Sequence, residues 1–443
     1  MGTYIPATPN DRDKMLKAVG RRSVDELFAP VPSQMLLKEL KIPSGMSELE
    51  AFRTMEGLAG KNTVFKTVFR GAGAYRHYIP AAVKRITANE TFITAYTPYQ
   101  AEISQGILQS IFEYQTMICE LTGMDVANAS VYDGGSAAAE AVNMARSRNR
   151  DTVYVSEGTN PQVLDTIRTY CFGYGIPVKT VSLEKGVTDI AALKKALGAD
   201  AACFYLQQPN YFGLLEDAVA AAQAVHAAGA LLIEGVNPIS LGILESPGAC
   251  GADIAVGEGQ PLGMPLAFGG PYLGFMACKA PLMRKMPGRI VGATTDAAGR
   301  RAFVLTLQAR EQHIRREKAS SNLCSNEAHC ALTAAVYLSV MGAGGLAEAA
   351  RQSHAKAVYA AKQISSVKGC EPVYGGAFFN EFLTRCPDVG AALGALEKEG
   401  ILGGLPVRNL PEGGHALLWA FTELNTKTEI DRLVHILKET NGR

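Results

Sequence analysis

A chain of 443 residues, 47% of them hydrophobic, exceeds one ordinary core, so two domains with ample burial are expected. Its 43 basic and 42 acidic residues leave a formal charge of +1 with no long run of one sign, which argues against a nucleic-acid or membrane surface. Nine scattered cysteines without a C-x-x-C pair fit a reducing compartment, and seven dispersed histidines build no metal site. The N-terminus MGTYIPATPNDRDK has early acids and no apolar core, and no stretch approaches the ~20 apolar residues of a membrane span. A soluble, cytoplasmic protein is expected.

Asn10 or Asp11 is placed to cap a first helix that carries Met15, Leu16 and Val19 and ends at Gly20. Pro30 and Pro32 halt any helix after SVDELF, and residues 33–60 are polar and helix-prone. Residues 1–60 thus read as a helical arm, packed on a partner subunit or on the body. Residues 68–80, VFRGAGAYRHYIP, form a glycine-punctuated loop. A long helix follows Tyr96-Thr97-Pro98-Tyr99-Gln100, with Ile103, Ile107, Ile111, Tyr114, Ile118 and Leu121 in one stripe and Gly123 placed to end it.

From residue 126 strand-like runs (130–132, 152–156, 177–183, 201–207, 230–235, 253–257) alternate with helix-like ones, which predicts a mostly parallel sheet covered on both faces. A second β-like run, Tyr272 to Cys278, follows a Gly/Pro-rich loop. A buried helix over 320–342 ends in a glycine-rich hinge, where a domain boundary is expected. Beyond it come a helix at 345–366, a strand in FFNEFLT, a helix at 388–399, a strand in HALLWAFT and a last helix opened by the capping box Thr426/Glu429. The expected fold is α/β: a large domain over 61–340 and a small C-terminal α+β domain over 341–443. That is the architecture of the aspartate-aminotransferase class (fold type I) of pyridoxal-phosphate transferases.

In such an enzyme a lysine would lie in the loop after the strand at 253–257. The residues there are Gly257, Glu258, Gly259 and Gln260, and none is an amine able to form an imine with an aldehyde. Asp133-Gly134-Gly135-Ser136 opens a helix, either as a phosphate cradle of backbone N–H groups or as a tight turn capped by Ser136. Glu234 lies where these enzymes set an aspartate against the pyridine nitrogen. A glutamate is one methylene too long, and a carboxylate bonded to a loop at the sheet edge is the simpler reading. Tyr96, Tyr99 and Gln100 offer two phenols and an amide around a proline; His77 and Arg289 are further candidates for facing substrate or phosphate. Each has an ordinary packing or surface role as its alternative. The run Arg310–Lys318, broken by Glu311 and Glu317, reads as a solvated helix face.

The blocks YIPATPNDRDKML, RGAGAYRHYIP, FITAYTPYQAEISQGILQSIFEYQTMICELTGMDVANASVYDG, GEGQPLGMPLAFGGPYLGF, PGRIVG and LQAREQHIRREKASSNLCSN span residues 4 to about 326. They resemble the alpha subunit (subunit 1) of the two-subunit bacterial glycine dehydrogenase (decarboxylating), the P-protein of the glycine cleavage system. The resemblance implies glycine decarboxylation through pyridoxal phosphate, with transfer of the aminomethyl group to the lipoyl group of the H-protein. It also implies that a beta subunit (subunit 2) carries the lysine-bound cofactor, while this chain keeps the fold without the lysine. Tyr96, Tyr99 and Gln100 are then expected in a shared interface site. Two other readings stay open: a non-catalytic scaffold or regulatory paralogue, and an independent pyridoxal-phosphate lyase drawing on Lys279 or Lys285.

Overall fold

The first helix, α1 (Pro9–Ala18), is capped by Thr8 rather than by Asn10 or Asp11. The Thr8 hydroxyl accepts from the Asp11 N–H at 3.2 Å and the Asp11 carboxylate accepts from Thr8 N–H at 3.1 Å. Asp11 therefore serves three residues inside the helix, the reciprocal box that a Thr-x-x-Asp spacing permits. A second box, Ser47 with Glu50, opens α2 (Glu48–Ala59). These helices belong to a compact unit, Met1–Val64, separate from the unit Phe65–Arg443. The computed structural model describes residues 6–441 apart from 38, 40, 95–97, 99, 308–311, 320, 322, 324–325, 409 and 411–413.

In the larger unit seven strands form the central sheet: β1 (Val126–Ala127), β2 (Thr152–Ser156), β3 (Val178–Val181), β4 (Ala201–Gln208), β5 (Leu231–Val236), β6 (Ile254–Glu258) and β7 (Gly274–Cys278). Their order is β1-β7-β6-β5-β4-β2-β3. β2 to β6 run parallel, while β7 is antiparallel to both β6 and β1. The strand expected at 130–132 is reduced to one bridge, Val131 with Gly274. Pairing along β7 breaks between, because the Ala129 N–H turns aside to the Arg289 carbonyl at 2.7 Å.

Neighbouring residues on the strands serve opposite faces, as the pleat requires. Phe204, Leu232, Ala255 and Phe275 pack under α3 (Gln105–Thr122) with Tyr114 and Ile118. Cys203, Ile233, Val256 and Met276 pack on the other face, under α4 (Gly134–Ala145) and α5 (Pro161–Tyr174). α6 (Ala218–Ala227) shares the first face. The α3 stripe runs through Leu108, Ile111, Tyr114 and Ile118; Ile103 precedes the helix and is exposed, and Gly123 ends it at φ 68°. That left-handed geometry costs glycine least.

The longest helix, α7 (Ala328–Ile364), does not stop at the expected hinge but continues through a kink at Gly342, φ 62°. Contrary to the sequence reading, it is long and apolar enough to cross a membrane by composition, the one such helix among the described residues. Here its first half packs in the core, with Ala331, Ala334 and Tyr337 fully buried among the residues of α3 and β7.

The C-terminal region builds its own sheet from β8 (Glu381–Arg385), β9 (Leu405–Val407) and β10 (Ala416–Ala420), with β10 central and both pairings antiparallel. α8 (Val389–Lys398) and α9 (Lys427–Asn441) cover it. Thr426 and Glu429 form the expected box at the start of α9, the Glu429 carboxylate accepting from the Thr426 N–H at 2.7 Å. Residues 67–69 join this region: the short strand Thr67–Val68 pairs parallel with Ile401–Leu402, and Phe69 is buried beside Phe421.

Candidate active site

A cavity of about 380 Å³ opens at the carboxyl ends of β4, β5 and β6, beside the N-terminus of α4. This is the crevice in which an open α/β sheet binds its ligand. Its lining combines Gln207 from β4, Gly235 and Val236 from β5, Gly257 and Glu258 from β6, and Gly134 and Gly135 from α4. The loop residues Ala72 to Tyr75 and the buried Glu381 of β8 close it.

The helix N-terminus is already satisfied from within. Asp133, not Ser136, is the cap: its carboxylate accepts from the Ser136 N–H at 2.7 Å. Glu258 supplies the second carboxylate. One oxygen accepts from the Gly134 N–H at 3.0 Å; the other accepts from Gln260 N–H at 2.9 Å and Leu273 N–H at 3.1 Å. The approach is close: a Cβ on Gly134 would lie 2.9 Å from the Glu258 nitrogen. Burial raises the Glu258 carboxyl pKa, opposed by these three donors. A negative group at orphan N–H donors and a positive helix end is the arrangement otherwise offered to a phosphate.

Gln260, in the loop that offers no amine, is fully buried and fully used. Its carbonyl oxygen accepts from the Tyr75 N–H at 3.0 Å, and its amide donates to the Tyr75 and Met264 carbonyls at 2.9 and 2.7 Å. The 72–75 loop is tied down a second time by Glu381. Its carboxylate accepts from the Ala72 N–H and the Tyr75 hydroxyl, each at 2.7 Å. Burial pushes the Glu381 pKa up to about 7. Asn160 adds a third tie, donating to the Ala72 carbonyl at 2.9 Å. Among the described lining residues Asp133, Glu258 and Glu381 are acidic and none is basic.

Of the other candidates, His77 is buried outside this lining. Its Nδ1 lies 2.7 Å from Glu423, whose second oxygen accepts from the Tyr78 N–H at 2.5 Å, while His77 Nε2 has no partner. Glu423 also accepts from Ser353 of α7 at 3.2 Å, so this group joins the loop, the long helix and the C-terminal region. Arg289 is buried next to the strand Ile290–Thr295, also outside the lining. Gln100 is exposed and outside it, and Tyr96 and Tyr99 lie outside the described residues.

Glu234 does not line the cavity; it is buried with one oxygen unpartnered, and burial pushes its pKa up to about 7. Lys279 pairs with Asp253 at 3.2 Å, just ahead of the amino end of β6, and Lys285 donates to the Arg146 carbonyl at 2.9 Å. A five-residue strand spans about 13 Å between end residues, so Lys279 sits at the opposite sheet edge from the cavity. The features that sequence reasoning passed over, Glu381 and Asn160, come from segments far apart in the chain. Among the described residues no group of three or more metal-ligating side chains gathers.

The sheet, its crevice and the C-terminal α+β region define the fold of the pyridoxal-phosphate-dependent aminotransferase-like enzymes. Aspartate aminotransferase from Thermus thermophilus shares the fold, with a TM-score of 0.59 over 85% of this chain and 99% of that one at 15% identity. The family is narrower: the model of the glycine cleavage system P-protein matches residues 2–437, and the chain belongs to that family. Relatives named probable glycine dehydrogenase (decarboxylating) subunit 1 are 50% identical over 440 residues in Moorella thermoacetica and 51% over 439 in Carboxydothermus hydrogenoformans. Each alignment covers 98% of this chain and 99% of the relative. A crystal structure of glycine decarboxylase (P-protein) of the glycine cleavage system, in inhibitor-bound form, matches with a TM-score of 0.93 at 42% identity, covering 99% of this chain and 100% of that one.

Pyridoxal phosphate, the group this fold implies, does not fit the residues of the cavity. The loop after β6 offers no amine, the α4 N-terminus is held by two carboxylates, and no lining cation among the described residues would offset a phosphate.

Proposed function

We propose that this chain acts as subunit 1 of a two-chain glycine dehydrogenase (decarboxylating), with the cofactor lysine supplied by a beta subunit (subunit 2). The assembly would decarboxylate glycine with pyridoxal phosphate and pass the aminomethyl group to the lipoyl group of an H-protein. Family membership supports the reaction. The division of labour rests on one observation: Glu258 occupies the donors at which a phosphate would bind, in a loop where Gln260 takes the place of an amine.

In this reading the chain contributes a rigid surface. Gln260, Glu381 and Asn160 hold the 72–75 loop from three sides, and Tyr96, Tyr99, Gln100 and Arg289 are proposed as this chain's contribution to the shared site, where such groups would orient glycine's carboxylate and exclude stray water. In the same reading the large domain gives way to the small one near residue 340, close to the kink of α7 at Gly342. The eight described cysteines are free thiols, which suits a cytoplasmic location.

Co-expression with a candidate subunit 2 and an assay of glycine–CO2 exchange tests this. Exchange should need both chains, and borohydride reduction should fix the cofactor to the partner alone. Exchange by this chain by itself, or a specific reduced adduct on one of its lysines, overturns the proposal. Phenylalanine at Tyr99 together with alanine at Gln100 should lower exchange in the assembled complex; unchanged exchange removes those residues from the site.

A further inference from the structure

α4 begins at the crevice, and a second cavity, of about 440 Å³, lies against its other end. The helix has twelve residues and spans about 18 Å, so the two cavities are separate. Arg146 from the end of α4, Arg284 and Lys285 from the turn after β7, and Arg315 line it, with Glu140 the acidic residue among the described lining. The sequence marks Arg315 as part of a solvated helix face, yet it is half-buried here. The whole chain carries a formal charge of +1, whereas this lining holds an excess of three positive charges even with Glu140 ionised. Glu140 is buried, which raises its pKa, and one of its oxygens accepts from the Ser321 hydroxyl at 2.6 Å. Arg146 donates from Nη1 to Asn143 at 3.1 Å and sits 5.5 Å from the centre of the Tyr174 ring, but its Nε is buried with no partner. Leaving such a donor unmatched is costly. Lys285 gives one of its three N–H groups to the Arg146 carbonyl at 2.9 Å, which holds the ammonium beside the guanidinium.

The geometry points to a binding site for a compact small-molecule anion of three or more charges, held by the arginine forks and the Lys285 ammonium, with the exposed Tyr174 ring as a wall. The volume falls within the roughly 300–1,000 Å³ of small-ligand pockets. Inorganic phosphate carries at most about two charges near pH 7 and leaves part of the excess unmatched. A polyphosphate chain, a nucleoside triphosphate and a tricarboxylate each supply the charge; a nucleotide would add a ring for Tyr174 to stack on. The site belongs wholly to the Phe65–Arg443 unit and stands apart from the two-chain reading.

The test is calorimetric titration of the full chain with tripolyphosphate, ATP, citrate and inorganic phosphate, without divalent metal and near physiological salt. At least one of the first three should bind one per chain, and inorganic phosphate should not. Affinity should fall at least tenfold with Arg284→Ala and Arg315→Ala combined, and also with Lys285→Met. It should fall less than threefold with Lys194→Ala and Lys195→Ala, which remove the same charge from an exposed helix elsewhere. Amide exchange in the wild-type chain, which needs no variant to fold, should slow at Glu140–Arg146 and Arg284–Lys285 when the ligand is added. Binding of tripolyphosphate and ATP without citrate assigns a phosphate chain. Binding of ATP alone, weakened by Tyr174→Ala, assigns a nucleotide, and binding of all three assigns charge as the criterion. The site is overturned if none of the three binds, if the control loses affinity as much as the double variant, or if inorganic phosphate binds as tightly. Protection confined to Gly134 and Gly135, at the crevice end of α4, overturns it as well.

Discussion

Replacing Glu258 by alanine should convert the α4 N-terminus from a filled anion site into a vacant one. The side chain accepts three backbone N–H bonds, at 3.0, 2.9 and 3.1 Å. Bonds to a charged acceptor contribute ~1.5–3 kcal/mol each, but the carboxylate is itself desolvated, and the cavity is open enough for water to reach some of the freed donors. A net loss of about 3 kcal/mol is expected. The readout is thermal unfolding of the variant and wild-type chains, each with and without inorganic phosphate. The wild type should not respond, whereas the variant should regain stability as phosphate fills the vacated donors, by ~2.7 kcal/mol at a hundredfold excess over Kd. Glu258→Gln should lose stability without full rescue, because its amide places donors against donors. A wild type that phosphate stabilises as strongly as the variant would refute the reasoning, and so would a variant that neither loses stability nor responds.

Gln260→Lys should create no enzyme with its own cofactor: it removes three hydrogen bonds at a fully buried position and costs about 2–4 kcal/mol, with no borohydride-stable adduct by mass spectrometry. Glu234 titrates near 7 in the fold because it is buried. A carboxyl raised in this way favours the fold below its unfolded pKa, and that contribution is lost as pH rises toward and through 7. Glu234→Gln should therefore match wild type near pH 4.5 and exceed it by about 3 kcal/mol at pH 8 in denaturant titrations; a pH-independent difference would place the carboxylate in a solvated or paired setting. Glu423→Ala severs the His77, Tyr78 and Ser353 contacts, and should cost about 3 kcal/mol and speed amide exchange at Tyr78. Unchanged exchange there would mean that the loop is held from elsewhere.

The alternation of buried strands and amphipathic helices, the glycine stop at Gly123 and the capping box at Thr426 were legible in the chain because each is a local contest of burial, backbone geometry and hydrogen bonding. So was the missing amine between Gly257 and Gln260, since a residue's functional groups do not depend on its surroundings. The family followed from long blocks of sequence, not from these local signals. Other outcomes depended on the local backbone conformation or on neighbours distant in sequence. Asp133 displaced Ser136 as cap because an extended aspartate reaches the Ser136 N–H, and β1 broke off where Arg289, some 160 residues later, captured the Ala129 N–H. Glu258 gained its role only when β6 and α4 met 124 residues apart. A carboxylate beside two glycines has no fixed purpose in a linear chain; packing decides which donors it faces, how much water it loses and whether a phosphate has room.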